Sequence, residues 1–257
     1  MPTSANIPQQ PAKLTPVAIV GYHLVPGIVF SGLLIVLSRV FIQHGLTAYL
    51  AELVLVPTCL LPMLVGTMLV SAKRLGPGLS LRRVIAYDAP GTISDYVAWP
   101  ILLFLCWGLA SLAVVPLGAR LETWYLTWFP TRLGSHALVS GVTSAPPGQR
   151  HLTLLLAILF SGLLAPVVEE AYFRGFLLPR MRHLGWLAAV LSAFLFGLYH
   201  FFSPWSVPLI LVAFLPVAWV VQAKGNFRIG VVVHAMFNLM GVLTLFFGSA
   251  QGGLISR

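Results

Sequence analysis

Acidic residues are scarce: 6 Asp plus Glu stand against 15 Lys plus Arg in 257 residues, leaving a formal net charge of +9. Charged residues of both signs make up only 8% of the chain while hydrophobic residues make up 58%, whereas about a quarter of an ordinary soluble domain is charged. That balance excludes a water-soluble fold. It also excludes disorder, because a chain this apolar buries or lipid-solvates far more surface than ordering costs. There are two cysteines, Cys59 and Cys106, both within hydrophobic runs and without a CxxC pair, so they read as buried thiols rather than as a disulfide framework or metal site. Internal repeats and low-complexity tracts are absent as well.

What is abundant is long apolar sequence. A bilayer-spanning helix takes roughly 20 apolar residues, and seven runs approach that length: 17–41, 49–72, 96–119, 152–178, 184–202, 207–221 and 229–247. Little polar chain is left over. The expectation is an all-α, polytopic transmembrane helical bundle of seven spans, or eight if a long loop dips into the membrane. Its divisions are a polar, Pro-rich tail at 1–16, N-terminal transmembrane helices with amphipathic loops at 17–150, a core of helices at 151–248 and a C-terminal tail at 249–257. No basic-then-apolar leader with a cleavage site opens the chain, so the first span is expected to serve as an uncleaved insertion signal.

The basic residues sit in short loops without a nucleic-acid motif, which argues against nucleic acid as a partner and for the bilayer. With seven spans, one side collects Lys13, Lys73, Arg74, Arg82, Arg83, Arg180, Arg182, Lys224 and Arg228; the other holds Arg39, Arg120, Arg132, Arg150 and Arg257. By the positive-inside rule the N-terminus is cytoplasmic, in the plasma (inner) membrane if the source is bacterial. Two loops are long enough for structure of their own. Residues 79–87 mix apolar and basic side chains, as in a short helix lying on the cytoplasmic lipid surface; in 120–150, Trp124, Tyr125, Trp128 and Phe129 read as an interfacial aromatic belt.

Four acids, Glu52, Asp88, Asp95 and Glu122, fall at span ends or in loops, where water or headgroups solvate them. The other two, Glu169 and Glu170, are adjacent inside an apolar run, three residues after Pro166. Ionisable groups at membrane depth are costly and usually face a bundle interior or cavity. Glu170 shares a helix face with Arg174, four residues on. Glu169 points about 100° away and finds no cation in its own span, so it must be paired across helices, be protonated, bind metal or face water. Two other spans offer partners: His200, in Phe196-x-x-x-His200, and His234, in His234-x-x-x-Asn238, whose two polar residues lie on one face.

These residues resemble a known family, the intramembrane CAAX-protease and bacteriocin-processing (Abi) family, which includes the eukaryotic prenyl-protein endoprotease. Its motifs EExxxR, FxxxH and HxxxN read here Glu169-Glu170-x-x-x-Arg174, Phe196-x-x-x-His200 and His234-x-x-x-Asn238, in family order and on separate spans. The resemblance covers roughly 152–248. It implies hydrolysis of a peptide bond in a membrane-associated peptide or lipidated protein. Glu169 is then the general base, His200 its partner in positioning water, His234 and Asn238 the oxyanion pair, and Glu170 with Arg174 the supporting ion pair, with Phe196 beside them. The site is expected to open toward the cytoplasmic leaflet, because Glu169 precedes the basic loop of Arg180 and Arg182 by two to three helical turns.

Alternatives stay open at the level of residues. Glu169, His200 and His234 would also make a catalytic zinc set with a free fourth position, although Glu169 would then leave no separate base; metal-independent chemistry is the preferred reading. HExxH, GxSG and GxGD patterns are all absent, which sets aside the commonest zinc, serine and aspartyl intramembrane proteases. A proton-coupled transporter would need acids spread along a path or repeated halves, and neither is present. A non-catalytic membrane binding or bacteriocin-immunity protein is the remaining rival.

Overall fold

The computed structural model describes residues 11–129 and 133–248. Residues 1–10 of the polar tail, Arg132 and the 249–257 tail with Arg257 lie outside the described residues.

The chain folds as an all-α polytopic bundle. In order, the helices are α1 (Pro16–Gln43), α2 (Ala48–Arg74), α3 (Ile93–Trp128), α4 (Ser135–Ser144), α5 (Pro147–Leu184), α6 (Leu187–Leu198), α7 (Pro204–Lys224) and α8 (Phe227–Phe247). All except α4 and α6 are long and apolar enough to cross a bilayer. Side-chain oxygens start several of them: Thr15 accepts from the Ala18 amide and Thr47 from the Leu50 amide, and Thr92 and Asp95 form a reciprocal capping box at α3, each satisfying amides that have no intrahelical partner.

The fifth run is the shorter one: six of the seven runs form helices long enough to span and this one does not. Of 184–202, only Leu187–Leu198 is helical, about 18 Å at 1.5 Å per residue, against a hydrocarbon core of about 30 Å. α6 is therefore too short to cross a bilayer on its own, and the turn after it carries Tyr199 and His200. The ten-residue α4 is too short to supply an eighth span.

Proline accompanies two of the places where helices widen. Pro57 lies in a π-type turn at Val56–Leu60, and Pro166 follows another at Ala157–Leu164. A proline ring clashes with the carbonyl four residues back and cannot donate to it, and a wider turn relieves both. A third π segment, Ala171–Leu177, follows Glu170, so the acidic pair sits on one short α-helical stretch between two wide ones, a pattern that π-bulges often mark at functional sites.

The core forms where α1, α2, α5, α6, α7 and α8 meet, around Phe173, Leu177, Phe196, Val217 and Val233. α3 is peripheral: it packs on α7 and α8 but buries only Pro100 and Leu103. Cys106 on this helix is exposed and Cys59 partly so, which corrects the expectation of two buried thiols.

The two ends of the bundle differ. At one, the Leu14 amide donates to the Arg180 carbonyl (3.2 Å), and the Gln222 side-chain amide donates to the Gly185 carbonyl (2.9 Å). Segment 79–90 closes this end. Instead of a helix on the lipid surface it is a single 3-10 turn, Leu81–Arg83, followed by irregular chain docked on the bundle. Ala86 N–H donates to Gly175 C=O, Ala89 N–H to Gly225 C=O, and Phe227 N–H to Tyr87 C=O, while Arg180 donates to Val84 C=O (2.9 Å). Asp88–Arg228 and Asp95–Lys224 ion pairs reinforce it. This is the end that carries the basic loops; the opposite end carries the α1–α2 turn, α4 and the α6–α7 turn.

Candidate active site

The acidic pair lies at the centre of the packing: Glu169 is 5% exposed, and Glu170 and Arg174 are 0% exposed. As the spacing predicts, Arg174 Nη1 pairs with Glu170 Oε1 at 3.1 Å. Burying such a pair costs more in desolvation than its Coulomb attraction returns unless other contacts help. Aromatic rings supply part of that help. The Arg174 guanidinium carbon stands 4.2 Å from the Phe196 ring centroid and 4.9 Å from that of Phe214, close enough for cation–π attraction. Gly230 of α8 admits the carboxylate, since a Cβ there would overlap Glu170 Oε2.

Glu170 also orients a histidine. His234 Nδ1 lies 3.0 Å from Glu170 Oε1; an ionised carboxylate only accepts, so Nδ1 carries the hydrogen and Nε2 is left for the other side. That nitrogen stands 3.7 Å from Glu169 Oε2. Glu169 Oε1 is engaged separately, accepting a hydrogen bond of 3.0 Å from the buried Tyr199 hydroxyl. Of the four fates open to Glu169 in the sequence, a hydrogen bond from another element is therefore realised, from the turn after α6, with His234 of α8 close by.

His200 shows the same logic. Its Nδ1 lies 2.9 Å from the Phe196 carbonyl, which can only accept, so Nδ1 donates and Nε2 is the free nitrogen. The Phe196 ring touches both histidines, with centroids 5.1 Å from His200 and 5.8 Å from His234. The spacing of Phe196 and His200 is thus structural in two ways: the carbonyl sets the ring's tautomer and the phenyl sets its position. Asn238 Nδ2 donates to the Ser161 carbonyl at 2.8 Å, with a second amide hydrogen to spare.

Glu169, His200, His234 and Asn238 all line one cavity of about 350 Å³, together with Tyr49, Glu52, Ser161, Tyr199, Ser203 and Ser206. Glu170 and Arg174 do not line it and stand behind it as support. The cavity runs away from the end that carries Arg180 and Arg182, not toward it as their closeness in sequence to Glu169 suggested. From the Glu169–His234 level its walls continue to Ser161 on α5, to Asn238, Gly241 and Val242 on α8, to Glu52 and Tyr49 at the start of α2, and to Ser203 and Ser206. Every one of those steps leads toward the end opposite the basic loops. The other direction is blocked by Tyr172, Phe173 and Arg174, each 0% exposed.

Several lining residues escape the sequence reading, Tyr199 and Glu52 among them. Tyr199 is adjacent to His200 and was legible only as another aromatic of an apolar run. Glu52 reads from sequence as a solvated acid at a span end, whereas the fold turns it onto the cavity wall.

Among the described residues, no group of three His, Cys, Asp or Glu side chains is placed to hold a metal ion. Glu169, His200 and His234 share the cavity without converging as ligands, and their other atoms are committed to Tyr199, Phe196 and Glu170.

No curated protein and no solved structure matches the chain significantly. A family model, type II CAAX prenyl endopeptidase Rce1-like, matches residues 151–240, the stretch that holds Glu169, Glu170, Arg174, Phe196, His200, His234 and Asn238; the helices before it lie outside the match. Residues 151–240, where the three motifs fold into one buried site, are thus similar to the type II CAAX prenyl endopeptidase Rce1-like family.

Proposed function

We propose that this integral membrane protein hydrolyses a peptide bond of a membrane-associated or lipidated substrate by metal-independent, glutamate-based chemistry. The observation that carries the reading is the position of Glu169: a carboxylate tethered through Oε1 by Tyr199 and lining the same cavity as His200, whose Nδ1 is held by the Phe196 carbonyl. In this mechanism Glu169 takes a proton from water as the water oxygen bonds to the scissile carbonyl carbon, and the carbonyl electron pair moves onto its oxygen. His200 Nε2 accepts the water's second hydrogen bond and fixes its approach. Asn238 donates its spare amide hydrogen to the developing oxyanion, and His234 assists through Nε2–H when its ring carries both protons, a contribution often worth several kcal/mol where water is sparse. Collapse expels the amine, which recovers the proton from Glu169.

The side of the membrane follows from charge. With the basic loops cytoplasmic by the positive-inside rule, the N-terminus is cytoplasmic and the cavity extends toward the other leaflet, so the scissile bond arrives from that half of the bilayer. In a bacterium the location is the inner membrane.

The test compares new peptide termini in membranes from cells expressing the wild type or Glu169→Gln, matched for expression and folding. Termini that depend on Glu169 establish proteolysis and identify the substrate together. If deep sampling finds none with both proteins folded, the protein is a binding or immunity protein instead.

A further inference from the structure

Five of the six acids have partners within the protein. Asp88 pairs with Arg228, Asp95 with Lys224, and Glu170 with Arg174; Glu122 accepts from the Ser135 amide, and Glu169 accepts from Tyr199. The sixth, Glu52, has no hydrogen bond or ion pair among the described residues, although it lies in a span and lines the same cavity as the catalytic candidates. A carboxylate at membrane depth is retained at a cost, and this one supports no neighbouring helix.

Its surroundings indicate what would offset that cost. Tyr49 is three residues earlier on the same helix and also lines the cavity, so ring and carboxylate share one face. An anion beside an aromatic ring suits a cation on an apolar stem, such as a Lys or Arg side chain, which the carboxylate pairs with and the ring packs against. The two residues stand at the start of α2, on the side toward which the cavity extends from Glu169.

We propose that Glu52, with Tyr49, forms a specificity subsite for a basic side chain of the substrate peptide. The inference rests on the protease reading for its biological sense, but the binding step is independent of hydrolysis.

The experiment therefore measures both. Full-length protein in lipid vesicles is presented with membrane-anchored peptides that carry Lys, Ala or Asp at successive positions, and affinity is read on the uncleaving Glu169→Gln background while cleavage is read on the wild type. Lys peptides should bind about tenfold more tightly than Ala peptides, as one charge-assisted contact provides. Glu52→Gln should erase the preference, and Glu52→Lys should transfer it to Asp peptides. Binding that ignores the Lys position, or a preference that survives Glu52→Gln in a folded protein, overturns the subsite. A Glu52-dependent preference in binding with no cleavage by the wild type would uphold the subsite and overturn the protease.

Discussion

The Tyr199 hydroxyl donates to Glu169 Oε1 at 3.0 Å, joining the turn after α6 to the acidic pair of α5. One carboxylate oxygen is thereby fixed, and the other is left to face His234 and the cavity. Removing the hydroxyl in Tyr199→Phe should lower the turnover number by about tenfold, the scale of one hydrogen bond to a charged group. The ring contacts with Phe173 and Phe196 remain, so thermal stability should hold. Undiminished turnover would show that Glu169 needs no anchor there.

Glu169→Gln keeps the shape of the side chain and removes its basicity. Turnover should fall by about 10² to 10⁴-fold, the usual contribution of a general base, with the protein still folded by circular dichroism and gel filtration. A variant that cleaves at the wild-type rate would end the general-base assignment.

Arg174→Ala would leave the Glu170 carboxylate buried without its cation. Breaking a buried pair from one side costs about 3 to 5 kcal/mol, so the variant should show lower yield and melting temperature as well as weaker activity. Arg174→Lys should recover part of the stability, since the charge returns without the planar group that lies against Phe196 and Phe214. Unchanged stability of the alanine variant would remove the supporting role.

Gly27 of α1 is buried against the Tyr199 carbonyl, and a Cβ there would overlap that backbone atom. Backbone cannot rotate away as a side-chain tip can, so Gly27→Ala should displace the turn that carries Tyr199 and His200. Overpacking of this kind costs about 1 to 3 kcal/mol. The expected result is a loss of turnover larger than the loss of folded protein; normal kinetics would mean that α1 shifts as a whole.

Exhaustive chelation followed by metal analysis of the purified protein separates the two chemistries. Full turnover in metal-free protein is expected. Loss that zinc alone restores would replace the glutamate mechanism with a metal-dependent one.

Membrane residence and helical class were legible from the sequence because they follow from local quantities: the length of apolar runs and the scarcity of charge. The Glu170–Arg174 pair was legible for a similar reason, since helical periodicity alone places those side chains together. His200, His234 and Asn238 stood out as polar residues on otherwise apolar spans, their roles came from a resemblance, and the structure places all three on one cavity with Glu169. Other features depended on parts of the chain far apart in sequence. The partner of Glu169 is 30 residues away, and the conversion of the 184–202 run into a half-length helix depends on the turn that α1 and α7 pack around. Segment 79–90 had the composition of a lipid-surface helix, yet the carbonyls of α5 and of the α7–α8 turn drew its amides into an irregular cap. The cavity's direction was least legible of all. Proximity in sequence to Arg180 pointed one way, while filled space around Tyr172, Phe173 and Arg174 decided the other. Apolar content and helical spacing are properties of the chain itself; which side of a buried carboxylate is empty is a property of how six helices fill the volume around it, and only the packed structure determines it.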